Sequence, residues 1–149
     1  MQRVVTGYDG EGRSVVVSDR EVASVPFGEA GRFHLAWTRN DQWGPAQPPG
    51  GCQLTVIELP PGGTRDLDRF VVDSMSEFAD TSRPGMHATP TIDLDIVVSG
   101  VVGLELEGGE VRLDAGDVVV QNGTFHRWHN RGDSTALIAA IAMGEPDSA

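Results

Sequence analysis

Cysteine is nearly absent. Cys52 is the single one in 149 residues, so no internal disulfide can form and no Cys-rich zinc site can be built. It is read as a core residue rather than a nucleophile, since no base stands near it in the sequence. Cationic side chains are also few, 11 against 22 acidic ones, for a formal charge of −11. A phosphate backbone or an anionic lipid surface would repel such a chain, so neither nucleic acid nor membrane is expected as a partner. Long apolar runs are missing too, and no window approaches the roughly 20 residues of a bilayer span. Met1 is followed by Gln-Arg-Val-Val-Thr-Gly rather than an apolar stretch. The expectation is therefore a cytoplasmic protein without a secretory signal.

What the chain has in quantity is turn residues, with nineteen glycines and nine prolines, which implies many short elements and little helix. Its length suits one domain, residues 1–149. An N-terminal set of strands occupies residues 1–51: Val4-Val5, Ser14 to Ser18, Val22 to Phe27, and a run after Gly31. In that run alternation sets Phe33, Leu35 and Trp37 on one face, with His34 and Ala36 on the other. Isolated hairpins are marginal in water, so this arm must complete the main sheet or pair with a second subunit.

Cys52 to Leu59 reads as a strand with Cys52, Leu54 and Val56 or Ile57 as core candidates, and Pro60-Pro-Gly-Gly63 stops it. A short helix over about 66–79 follows, capped by Asp66, with Leu67, Phe70, Val71, Met75 and Phe78 at helical spacing. From Asp93 to Met143 the pattern is β throughout, punctuated by Ser99-Gly100, Gly108-Gly109, Asp114 to Asp117, Asn122-Gly123 and Arg131 to Asp133. Regularly spaced short strands imply a sandwich, barrel or jelly roll.

Two polar segments stand out from this scaffold. One runs from His87 through Thr89 and Asp93 to Asp95; the other holds His126, Trp128 and Asn130. Asp93 and Asp95 share strand parity, so both can point inward, where close carboxylates raise each other's pKa. Trp128 shares parity with His126 and Asn130 and is expected to line the same cavity. His129 faces the other way and is expected at the surface, and His34 has no further recommendation as a site residue.

These residues resemble the cupin superfamily. His87-x-Thr89-x3-Asp93-x6-Gly100 follows the spacing of that family's first motif. Gly116 to Gly123-x2-His126-x3-Asn130 follows the second, with one residue fewer after Gly116 and no proline. The resemblance covers roughly residues 52–143. It implies an all-β fold, a cupin-type jelly-roll β-barrel with one short inserted helix and an N-terminal strand arm. In cupins with full motifs two histidines and a glutamate of the first motif join a histidine of the second around one divalent ion. Here Thr89 replaces a histidine and Asp93 the glutamate. The resemblance thus implies a metal set of His87, Asp93 and His126, with iron, manganese, zinc and nickel not distinguished. Six residues of straight strand span about 20 Å, so His87 and Asp93 can meet only if the chain reverses near Pro90.

The resemblance further implies a small-molecule enzyme of secondary metabolism performing metal-assisted lyase, isomerase or cyclase chemistry. Asp95, Asp93 and His126 would be its catalytic residues, and Thr89, Trp128 and Asn130 would bind substrate. The alternatives are a ferrous dioxygenase and a binding protein without catalysis. Cupins commonly pair through an edge sheet, so a homodimer is expected.

Overall fold

The computed structural model describes residues 1–39 and 41–145. Its elements are β1 (Gln2–Tyr8), β2 (Ser14–Glu21), β3 (Ser24–Phe27), β4 (Gly31–Thr38), β5 (Cys52–Leu59), α1 (Thr64–Ser74), β6 (Thr91–Ser99), β7 (Val101–Leu106), β8 (Gly109–Asp114), β9 (Val118–Asn122), β10 (His126–Asn130) and β11 (Ala136–Gly144). The strands form a six-stranded sheet of order β3-β4-β5-β11-β6-β9 and a three-stranded sheet of order β10-β7-β8. A separate hairpin pairs β1 with β2. This is the jelly-roll barrel that the resemblance implied, one of the all-β forms the strand pattern allowed.

Alternation decides which side chains meet between the two sheets. From the larger sheet Ile57, Val97 and Ile138 point in; from the smaller one Val102, Leu104, Leu113 and Trp128 meet them. Leu59, Val102 and Ile138 are fully buried, and each such side chain contributes about 2 kcal/mol of transfer free energy. The chain passes from one sheet to the other at Gly100, φ +80°. An added Cβ there would stand 2.8 Å from Cα of Ala136, so glycine is required on both counts.

Four local readings need correction. The helix begins at Thr64, with Gly63 as its N-cap, and Asp66 lies in the first turn without a capping bond. A turn closed by the Gly63 N–H on the Pro60 carbonyl, 2.9 Å, leads directly into the helix. The helix also ends at Ser74 rather than 79, because Met75 leaves helical geometry at φ −130°. In β4, Phe33 and Leu35 do share a face. Trp37 does not join them, because a register shift after Leu35 turns it outward, where it is 40% exposed. Cys52 and Leu54 are half-buried on the outer face of β5, leaving Ile57 and Leu59 as its contribution to the core cluster.

The N-terminal arm divides. β3 becomes the edge of the large sheet through β4, whereas β1 and β2 pair only with each other among the described strands. Arg3 ties the hairpin down by donating from Nη1 to the Ala36 carbonyl, 3.0 Å.

Candidate active site

The reversal expected near Pro90 is present and divides the first polar segment between the two sheets. Before it, His87 makes a two-way backbone bridge to His126, N–H to carbonyl, at 3.0 and 2.9 Å. After it, Thr91 starts β6 in the six-stranded sheet, and Asp93 and Asp95 project from the inner face. A cavity of about 250 Å³ lies between. Residues His87, Thr89, Asp93, Asp95, His126 and Trp128 all line it.

The remainder of the wall is apolar. Phe33, Leu35, Ile57 and Trp43 form one side, and Ala140 and Ala142 leave space under the carboxyl groups, being opposite Asp95 and Asp93 on β11. α1 supplies Leu67, Phe70 and Val71, and Met75 follows just past its end, so the helix walls the cavity rather than merely packing nearby. It is pinned there by Asp68, which accepts from Arg127 Nε and Nη2 of β10 at 2.8 and 2.5 Å. Alternation foretold Phe33 and Leu35. Nothing in the sequence signalled Trp43, which sits in a Pro- and Gly-bounded loop.

The two imidazoles are alike. Each Nδ1 lies 3.0 Å from a backbone carbonyl two residues earlier, Gly85 for His87 and Thr124 for His126. A carbonyl can only accept, so both rings carry their proton on Nδ1 and keep Nε2 as a lone pair. The ring centroids are 4.4 Å apart, tilted by 47°. Burial pushes both pKa values down, His126 to about 4, with the charge of His87 adding to the effect. Both rings are neutral at physiological pH.

The carboxyl pair is pushed the other way. Asp95 is 4% exposed, and burial together with the charge of Asp93 raises its pKa to about 7. Burial raises Asp93 as well, with the Thr91 hydroxyl opposing. Oδ1 of Asp93 is buried without a hydrogen-bond partner among the described residues. Thr89 and Thr91 share a hydroxyl hydrogen bond of 2.8 Å beside them.

The proposed metal set does not close. The Nε2 lone pairs and their carbonyl-held Nδ1 protons are what imidazole ligands need. Yet among the described residues no three His, Cys, Asp or Glu side chains gather closely enough to hold one ion. His87 and His126 belong to the smaller sheet's side and Asp93 to the larger, and the aspartate is one methylene shorter than the family's glutamate.

Two further expectations fail. Asn130 is absent from the cavity wall. Its Nδ2 donates to the carbonyls of Leu59 and Ser134 at 2.7 and 2.8 Å, and its Oδ1 accepts from the Gly132 N–H at 2.7 Å. At the strand end the side chain is drawn into the adjoining turn. His129 does face away from the cavity but is buried, its Nε2 2.6 Å from Glu105. His34 is buried as well, facing Glu58 at 3.0 Å outside the cavity.

A jelly roll whose one polar cluster of histidines and carboxyls crosses between its sheets behind a motif-spaced bend is a cupin. The comparisons agree with this class. The chain is 32% identical over 152 residues to the phomopsin biosynthesis cluster protein C' of Diaporthe leptostromiformis, an alignment covering 87% of this chain and 70% of the relative. It is 29% identical over 131 residues to the cupin-domain-containing oxidoreductase fogC of Aspergillus ruber, covering 86% and 63%. The cupin domain of Schizosaccharomyces pombe Cnp3 matches in structure with a TM-score of 0.55 over 97% of this chain and 88% of that domain, at 10% identity, a likeness of fold alone. No family model matches. The chain belongs to the cupin superfamily, and its relatives include biosynthesis-cluster proteins. No helix among the described residues is long and apolar enough to cross a membrane.

Proposed function

We propose that this cupin is an enzyme of secondary metabolism that moves a proton on a small, mostly apolar organic molecule, in isomerase-, lyase- or cyclase-type chemistry. The observation that carries the reading is the pair Asp93 and Asp95 on one inner strand face, enclosed by apolar walls and opposed by two imidazoles with free Nε2 atoms. Like charges so close favour one shared proton, which gives a base and an acid in one site. An ionised carboxylate takes the proton from a carbon beside a carbonyl. The protonated partner, or a water held by an imidazole, gives one to the carbonyl oxygen, and an enol results. His126 and Thr89 would orient the oxygen, and Trp128 would pack on the apolar body. The names of the biosynthesis-cluster relatives support the assignment to secondary metabolism.

The test is exchange. Wild-type protein is incubated in D₂O with 2-octanone and 5-oxooctanoate, and NMR follows loss of the protons next to the ketone. Deuterium should enter faster than in buffer. No acceleration with either ketone would overturn the reading.

A second reading, redox chemistry, is favoured by the oxidoreductase names of relatives and by the two unprotonated Nε2 atoms. Elemental analysis of protein purified without chelator or nickel resin, together with oxygen uptake, separates it from the first. We further propose that the protein is a homodimer. The support is the outer face of β6 and β9, where Ile96, Val98, Val118 and Val120 are exposed side by side without a charge among them. Sedimentation should give twice the chain mass, and Val118→Asp should return the monomer.

A further inference from the structure

A second hollow, of about 560 Å³, adjoins the cavity between the N-terminal hairpin and β4. Leu35 and Trp43 line both, so the two spaces share a wall. Their chemistry differs. The second holds Arg3, Arg20 and the exposed face of Trp37, with Glu21 and Asp41 also on its lining.

Arg3 and Arg20 are direct cross-strand partners in the hairpin. Like charges so placed repel, and a fold that had no use for them could separate them cheaply. The chain has no lysine and twice as many acids as arginines, so carboxylates are in good supply. Six other arginines take them: Arg13, Arg69, Arg83, Arg112, Arg127 and Arg131 are all in ion pairs. Among the described residues Arg3, Arg20, Arg32, Arg39 and Arg65 have none, and of these Arg3 and Arg20 stand opposite each other in one cleft, although Glu21 and Asp41 share it. Arg3 spends Nη1 on the Ala36 carbonyl, and its buried Nε has no acceptor among the described residues.

We infer that this cleft is an anion subsite, in which Arg3 and Arg20 receive the carboxylate of an amphiphilic monocarboxylic acid whose apolar body passes Trp43 into the cavity. This rests on reading the cavity as the substrate site. Guanidinium forks match carboxylates in pairs of hydrogen bonds. A single charge is favoured over a phosphate dianion because Glu21 and Asp41 line the same cleft. The shared wall sets the order of the ligand: charged end outside, apolar and reactive part within.

The experiment compares octanoate with octanamide on the full chain at pH 8, by calorimetry or tryptophan fluorescence. Octanoate should bind about tenfold more tightly. Arg20→Gln, which removes no hydrogen bond of the fold, should lower octanoate affinity several-fold and leave octanamide unchanged. Adding Arg3→Gln should abolish the preference, with a cooperative urea transition and retained octanamide binding as the check on folding. Equal binding of acid and amide by wild type, or a preference that survives both substitutions, would overturn the subsite. Displacement of octanoate by millimolar inorganic phosphate would overturn the choice of a carboxylate. Binding and deuterium exchange are independent readouts. An arginine-dependent preference without exchange removes the catalytic reading and keeps the subsite; exchange without a preference does the reverse.

Discussion

His87 and His126 hold each other by the backbone before their rings take part in anything. Two N–H···O bonds of 3.0 and 2.9 Å join the residues, and the imidazoles then lie 4.4 Å apart. The bridge fixes where the rings stand, and the carbonyls of Gly85 and Thr124 fix which nitrogen is bare. A substitution of either side chain leaves the bridge intact, so the imidazoles can be removed without opening the barrel.

Opposed pKa shifts give a pH signature of stability. His126 is neutral in the fold down to about pH 4, while the unfolded chain protonates it below 6.5. Its contribution is fully present above 6.5 and is lost as pH falls toward 4. Asp95 keeps its proton in the fold up to about pH 7, while the unfolded chain ionises above 3.8. Its contribution is fully present below 3.8 and is lost as pH rises toward 7. Each effect is on the order of 3 kcal/mol, and between pH 4.5 and 6.5 they cancel in large part. In urea unfolding, Asp95→Asn should make stability rise with pH across this window, and His126→Gln should make it fall. Profiles parallel to wild type would contradict the account of both groups.

Asn130 should behave as a structural residue. Asn130→Ala removes three hydrogen bonds to backbone groups and should cost about 2 kcal/mol in urea unfolding. Ligand affinity, measured with octanamide, should stay within twofold of wild type.

Gly85 faces the pin between α1 and β10. Its φ is +87°, and a Cβ there would run into the Asp68 carboxylate that Arg127 holds. Gly85→Ala should therefore destabilise by about 2 kcal/mol or more, through backbone strain and a displaced ion pair together. Thermal unfolding tests this, and Asp68→Asn should remove part of the penalty in the double variant.

Ala140 keeps the cavity open beneath Asp95. Ala140→Phe should fill the space and abolish octanamide binding, with the melting temperature held within a few degrees of wild type. A filled variant that still binds would place the ligand elsewhere.

The succession of strands and the shared faces of Asp93 with Asp95 and of His126 with Trp128 were legible in the sequence, because alternation and glycine turns determine faces. The bend at Pro90 followed from the spacing of the cupin-like motifs. Parity says which way His129 points but not that Glu105 and its neighbours cover it. It says that Asn130 starts on the cavity side but not that a turn two residues on captures it. Motif spacing placed His87, Asp93 and His126 in one cavity, while convergence on an ion depends on side-chain reach across two sheets. The facing of Arg3 and Arg20 was hidden for a related reason: a register shift between Val5 and Thr6 sets that pairing, and no local pattern announces it.

The claim that the carboxyl pair moves the proton is tested most directly by exchange in D₂O with 5-oxooctanoate, comparing wild type, Asp93→Asn and Asp95→Asn at matched saturation. Loss of either member of the pair should slow deuterium entry by about a hundredfold or more, in Asp93→Asn and Asp95→Asn alike, with affinity for octanamide unchanged. Exchange at the wild-type rate in both variants would contradict the account.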